Sequence, residues 1–481
     1  MKGTLRAWWR EGEPWFAAVA LANLVLGTSS VLIPLMLSRV LDQSVGTLGV
    51  LASLVSLVGV VGSLVWGRLS DAAHRRKPFI VASYALVGAC FVAIAFVPTF
   101  EHFLWINMLL NFFWVANASV TVLIVIENRE PSTWETMIGR LNQVGAIGWV
   151  LGLLFGSGAL AAGAYVVDEA TAIRLLFALI AVGSLAASLL AFRRVPRTEP
   201  KYTQRKFRGV RLAIGNFLFE RRRFAPFHLY HRLRPRRVIA ALRDPHGFRP
   251  GTRRFLAATF VTFVGLGLFG IPLPLLLSER FGFSSSVVFA YFALQHLGVV
   301  VAFPLAAKRI RRTGNRSVQI GTVAARLVLF ATTAVFLAFS AARPPVILLV
   351  VGFAVYGLTW SYFQLSGIAL VSRLARRENR GLALGLYNAL AGVGWVVAGL
   401  AGGMLAEWSG YQVAFGAAAV FLLVALWILV SVPKPTPVPD EANREVQEDR
   451  AARRAPDAGN AGLSTSAARP PRPRLRPARA P

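Results

Sequence analysis

Hydrophobic residues along this chain gather into twelve long runs separated by polar breaks. Six lie near 15 to 38, 46 to 66, 79 to 97, 103 to 126, 138 to 162 and 172 to 192, and six more near 255 to 277, 284 to 306, 318 to 340, 344 to 371, 382 to 406 and 411 to 432. Each approaches the roughly 20 residues a helix needs to cross a hydrocarbon core of about 30 Å. In lipid every backbone N–H and C=O must be paired internally, and continuous runs lack the two-residue alternation of a membrane barrel, so the pattern predicts helices. The first run is too long for a cleaved signal peptide and is followed by eleven others. The expectation is an all-α membrane protein with twelve transmembrane helices.

Composition agrees. With 55% hydrophobic and 15% charged residues, the chain of 481 is too apolar for an ordinary soluble protein. Cys90 is the single cysteine and falls inside the third run, which excludes an intramolecular disulfide and a cysteine metal cluster. No metal site, cofactor or enzymatic activity is expected, and no G-x4-G-K-[ST] loop points to ATP hydrolysis.

A net charge of +30 acquires its meaning from placement. All but five of the 52 Lys and Arg residues lie at the termini or in the even-numbered segments between runs; the exceptions are Arg39, Arg174, Arg280 and Arg343 on the opposite side and Arg326 inside a run. That asymmetry follows the positive-inside rule and predicts cytoplasmic termini in a multi-pass protein of the cell's inner (plasma) membrane. The chain divides into an N-terminus (1–14), a six-helix bundle (15–192), a basic linker (193–254), a second bundle (255–432) and a tail (433–481). Within the linker, Phe207, Val210, Ile214, Phe217 and Leu218 recur at helical spacing among basic residues. This pattern fits an interfacial helix on anionic lipid over 205–223, or a solvated basic linker. The Pro-, Ala- and Arg-rich tail should be disordered, and neither segment has a nucleic-acid reading fold.

The two sets of runs repeat one another. A shift of 240 lays Ala17, Leu26, Gly27, Pro34, Leu35 and Ser38 on Ala257, Leu266, Gly267, Pro274, Leu275 and Ser278; a shift of 246 lays Asn142, Trp149 and Gly156 on Asn388, Trp395 and Gly402, and Trp114 on Trp360. Two parallel six-span repeats joined by a linker can enclose a midplane cavity and rock around it. Shared Ala and Leu composition explains such matches poorly where Trp, Asn and Pro are paired.

With this plan over residues 15–432, the chain resembles the major facilitator superfamily. Gly67-Arg68-Leu69-Ser70-Asp71-Ala72-Ala73-His74-Arg75-Arg76 is similar to the family's loop after its second span, G-x-L-[AS]-D-[RK]-x-G-R-[RK], with Ala72 and His74 departing from it. The resemblance implies two pseudo-symmetric six-helix bundles and a gating role for Gly67, Leu69, Asp71, Arg75 and Arg76. It also implies that Asp71→Asn slows transport more than it lowers folded yield. In the second repeat Arg311 stands where Asp71 does, so the gate is asymmetric. Gly139, Gly148, Gly152 and Gly156 fit the spacing of a family glycine motif on the fifth span, with Leu153 in place of its Pro; Gly385, Gly394 and Gly402 sit on the eleventh. Small residues at this spacing let helix backbones approach closely, and packing is their simplest account.

No Asp or Glu lies centrally in a run, so no residue pattern assigns a coupling ion. Gln295, His296 and Arg326 are the central polar candidates. His296 titrates in a useful range or is simply satisfied by a neighbouring helix; in the family the ninth span, which carries Arg326, is usually peripheral, and a long side chain there can snorkel. Asn107, Asn111, Trp114 and Thr121 share one face of the fourth span, as do Tyr356, Trp360 and Gln364 of the tenth, and these spans line the family's cavity. Asn111, Trp114, Trp360 and Gln364 are therefore the foremost ligand contacts, with Asn23, Asn142, Asn388, Gln295 and His296 beside them, unless they serve interhelical packing. The expected function is a secondary carrier moving a small-molecule substrate by alternating access, first an exporter of amphipathic, drug-like compounds. A sugar or polyol carrier is the alternative, since Arg75 to Ile80 also resembles that loop in sugar permeases. A non-transporting receptor or lipid-handling protein on the same scaffold represents another class.

Overall fold

The computed structural model describes residues 13–73, 76–128, 134–196, 251–340, 342–375 and 380–434. The linker helix at 205–223, Arg75 and nearly all of the tail lie outside them. The chain forms two compact units, Met1–Pro433 and Lys434–Pro481, and the first holds all the described helices. These are α1 (Phe16–Leu35), α2 (Val45–Ala73), α3 (Lys77–Ala95), α4 (Phe100–Asn128), α5 (Trp134–Gly163) and α6 (Glu169–Arg194). They are followed by α7 (Thr252–Gly270), α8 (Ser285–Thr313), α9 (Asn315–Phe339), α10 (Val346–Leu374), α11 (Arg380–Ser409) and α12 (Tyr411–Ser431).

Among the described residues, eleven helices are long and apolar enough to cross a membrane. A twelfth, α4, has 29 residues, or about 43 Å at 1.5 Å per residue, with Asn107, Asn111 and Asn117 set between its apolar residues. Helices of this length overhang the hydrocarbon core. That is why α2 continues through Gly67 and Asp71 to Ala73, beyond the apolar run that marked it in the sequence. Leu175, Leu179, Val182, Leu185, Leu189 and Phe192 make an exposed apolar stripe along α6, and Val413, Val420, Leu423, Val424, Trp427 and Val430 make another on α12. Such stripes suit lipid contact.

The duplication is visible in backbone geometry. A five-residue π-helical turn follows the first helix of each half, Met36–Val40 directly after α1 and Leu276–Arg280 after α7 and the single helical turn Leu273–Leu275; they are closed by Leu41 N–H to Met36 O at 3.0 Å and Phe281 N–H to Leu276 O at 3.1 Å. Packing repeats as well. In the first half α1 lies against α5 and α6, α3 against α4 and α6, and α2 against α4; the second half gives α7 against α11 and α12, α9 against α10 and α12, and α8 against α10. The halves meet through α2 with α11 and α5 with α8, two pairs that the same pseudo-two-fold exchanges.

Glycines set the spacing of these pairs. A methyl on Gly148 or Gly152 of α5 would run into the backbone of Ala20 or Leu24 on α1, and one on Gly394 or Gly402 of α11 would crowd Phe263 or Leu268 on α7. Thr28 Oγ1 donates to Gly152 O at 2.7 Å across the first of these contacts. Gly314 and Gly410, at φ +81° and +86°, form one-residue turns between α8 and α9 and between α11 and α12, a backbone region that disfavours other residues.

Candidate functional site

The halves are clasped at the end of the helices opposite the start of α1 and the end of α12. Arg39 Nη2 donates to Ser278 O at 2.9 Å, Ser157 Oγ to Ser286 O at 2.9 Å, Ser53 Oγ to Val396 O at 2.7 Å, and Ser285 Oγ to the Glu169 carboxylate. Gly49 of α2 faces Gly399 and Gly403 of α11 so closely that neither side has room for a side chain. Nearer the helix midpoints Trp149 of α5 stacks on His296 of α8, with centroids 5.6 Å apart and planes 14° from parallel.

Directly against that stack lies a cavity of about 320 Å³. Both halves line it: Ser30, Leu51, Asn107 and Trp149 from the first, and Phe292, Gln295, His296, Tyr356 and Trp395 from the second, among others. Its size falls in the range of small-molecule sites. Most of the wall is aliphatic or aromatic, yet two buried polar atoms on it have no hydrogen-bond partner, Trp149 Nε1 and Gln295 Oε1. An unpaired buried polar group costs roughly 1–3 kcal/mol, so these two residues of the wall each carry that cost, their polar atoms lying just beneath its surface. His296 Nδ1 donates to Phe292 O at 3.0 Å, which leaves Nε2 as its second polar atom. Asn107 Nδ2 is engaged by Phe103 O at 2.7 Å, which leaves its carbonyl.

Of the ligand contacts expected from the sequence, Gln295 and His296 lie on the cavity wall, joined by Asn107 and Tyr356 from the two helix faces singled out on the fourth and tenth spans. The other expected contacts do not line it. Asn111 donates to Val55 O at 2.6 Å, tying α4 to α2. Trp114 leans on Tyr84, centroids 6.3 Å apart, and Trp360 on Phe363 at 6.0 Å; Gln364 is half-buried, one turn beyond Trp360. Asn23 bonds its own helix at Val19 O, 2.8 Å, beside Gly145. Asn142 and Asn388 are exposed, each two turns nearer the terminal ends than Trp149 and Trp395 and on the same helix faces.

Trp149 and Trp395 themselves were visible as a matched pair in the repeat, but nothing in one helix's sequence says that its aromatic meets the opposite bundle. Arg326 departs from the snorkelling expectation. It is fully buried, because α10 and α12 pack over α9 and Tyr356 and Trp360 cover its guanidinium. Among the gating candidates Arg76 is buried before α3. Gly67, Leu69 and Asp71 lie in α2 and Gly139 in α5 where only the backbone is described, and Gly385 has open space around its Cα. Among the described residues no group of three His, Cys, Asp or Glu could hold a metal ion.

The family model described as Major Facilitator Superfamily matches residues 15–329 and 258–476. The chain belongs to the Major Facilitator Superfamily. Its members among solved structures share this architecture at low identity. The nucleoside transporter NupG matches with a TM-score of 0.62 at 14% identity, covering 87% of this chain and 98% of that one. A variant of the peptide transporter POT in complex with alafosfalin matches at 0.64 and 14%, covering 87% and 94%. A bacterial homolog of the human lysosomal transporter Spinster, inward-facing and occupied, matches at 0.61 and 13%, covering 87% and 95%. No curated protein sequence matches the chain. In this superfamily chain the two bundles, the clasp at one end and the cavity against it are the parts a transporter of small molecules needs.

Proposed function

We propose that this protein is a secondary carrier that exports small amphipathic organic molecules by alternating access. The observation that carries the reading is the cavity shared by the two halves, apolar in most of its wall and supplied with an unpaired indole N–H and an unpaired amide carbonyl. An aromatic or aliphatic body satisfies that wall, and one or two polar groups satisfy those atoms. A sugar asks for many converging amides and hydroxyls, and few polar side chains line this wall.

The clasp opposite the termini and the exposure of Asn142 and Asn388 describe a state open toward the terminal side. The charge asymmetry of the loops supports a cytoplasmic location for that side. Such a state loads from the cytoplasm, as an exporter does. Asn142 and Asn388, with Trp114, Trp360 and Gln364 deeper on their faces, then belong to the vestibule below the site.

Flux assays on reconstituted vesicles test the proposal. Amphipathic aromatic compounds should cross vesicles bearing the protein faster than empty ones, and glucose should not. Trp149→Ala and Trp395→Ala should each lower flux and raise the half-saturating concentration. Binding without flux would indicate a receptor on this scaffold, and undiminished flux in both variants would move the site elsewhere.

A further inference from the structure

Among the described residues, the second half contains a buried cation with no anion to match it. Arg326, at the middle of α9, is 0% exposed. Its Nη2 donates to the carbonyl of Tyr356 at 2.9 Å, and its Nε and Nη1 have no partner at all. The guanidinium carbon lies 4.7 Å from the Tyr356 ring centroid and 5.5 Å from that of Trp360. Neither α9 nor the helices packed on it, α8, α10 and α12, contains a single Asp or Glu. Among the described residues of the second half the acids are Glu279 and Glu407, at the far ends of their segments by the clasp. Cation–π contact and one carbonyl offset only part of the cost of burying an arginine in the membrane, and charges at this depth usually mark the path of what is carried.

Position supplies the second half of the argument. Tyr356, whose ring covers the guanidinium, is itself part of the wall of the central cavity. Arg326 therefore stands one aromatic ring behind the ligand site, its positive field directed through that ring and the N–H groups of its unpartnered Nε and Nη1 buried. Across the cavity the unpaired polar atom of the first half is another donor, Trp149 Nε1.

We propose, building on the carrier reading above, that the substrate is an organic anion. An aromatic or aliphatic body lies between the halves, and a carboxylate or sulfonate is held against α10, where Arg326 is its counter-charge once Tyr356 turns aside.

A matched series of naphthalenes tests this by thermal shift of the purified full-length protein: naphthoate, its neutral amide, and naphthylmethylammonium, each at millimolar concentration and constant ionic strength. Naphthoate should bind at least 10-fold more tightly than the amide, and the cation should bind most weakly. Arg326→Leu should erase that preference and, because it removes a buried unpaired charge, should leave the ligand-free midpoint unchanged or higher; Arg326→Lys should retain part of the preference. A purely structural arginine would instead lower the midpoint when replaced and leave the anion preference intact, which overturns the proposal. Equal binding of all three probes, lost in Trp149→Ala, would refute the anion inference while keeping the cavity. Anion binding indifferent to Trp149→Ala and Trp395→Ala would refute the cavity, and no shift with any probe would count against both.

Discussion

Placing a methyl group on Gly403 asks whether the contact between α2 and α11 is permanent packing or one half of a cycle. Built onto the backbone, that carbon stands 2.8 Å from Gly49 Cα and 2.8 Å from Val45 O, where comfortable contact begins near 3.5 Å. The two helices must part by roughly 0.7 Å at this point. Overpacking of this kind costs about 1–3 kcal/mol. Since Gly49 and Gly403 belong to different halves, the cost falls on the state clasped here and spares any state in which these helices separate. A difference of that size changes the ratio of the two states by about 5- to 150-fold. Spin labels at His102 and Ile347, exposed positions in the first turns of α4 and α10, report the opening by pulsed electron resonance once buried Cys90 is replaced by Ala. Gly403→Ala should enlarge the long-distance population while the thermal midpoint changes little. An unchanged distance distribution with a lowered midpoint would show that the contact is static, and the reasoning would fail.

Gly152 provides the opposite case. Its Cβ would meet the backbone of Leu24, with the Leu24 Cα at 3.0 Å, inside one half, so Gly152→Ala should lower the thermal midpoint and the folded yield and leave the distance distribution as in the parent; a shifted distribution would contradict this. Gln295→Leu removes an unpaired buried carbonyl from the cavity wall. It should hold or raise the ligand-free midpoint and weaken ligand binding, and a fall in the midpoint would mean the amide is satisfied structurally.

The architecture was legible in the chain because its causes are local. A run of about 20 apolar residues can do little in a bilayer except span it as a helix, and an ancestral doubling leaves paired Trp, Asn and Pro at fixed offsets. The π-helical turns at Met36 and Leu276 were not legible, since Pro34 and Pro274 show that the two segments correspond without saying how their last turns close. The site was legible in part. Gln295 and His296 attract notice as polar residues inside an apolar run, and both reach the cavity. Trp114 and Trp360 fit the helix-face argument just as well, yet they rest on Tyr84 and Phe363, because one helix's periodicity defines a face and not the neighbour it meets. Trp149 and Arg326 carry the reverse lesson. What they do depends on the opposite bundle and on the aromatic cover of α10, and neither is a property of their own segments.

The central claim is that the halves separate and rejoin around the shared cavity. Ser157 and Ser286 adjoin across the clasp, Ser157 Oγ lying 2.9 Å from Ser286 O, and Cys90, the only native cysteine, is buried. The double variant Ser157→Cys with Ser286→Cys therefore places one reversible lock between α5 and α8. In reconstituted vesicles, oxidation should abolish flux of the transported compound, binding from the terminal side should persist, and reductant should restore transport. Full crosslinking with flux unchanged would contradict the account.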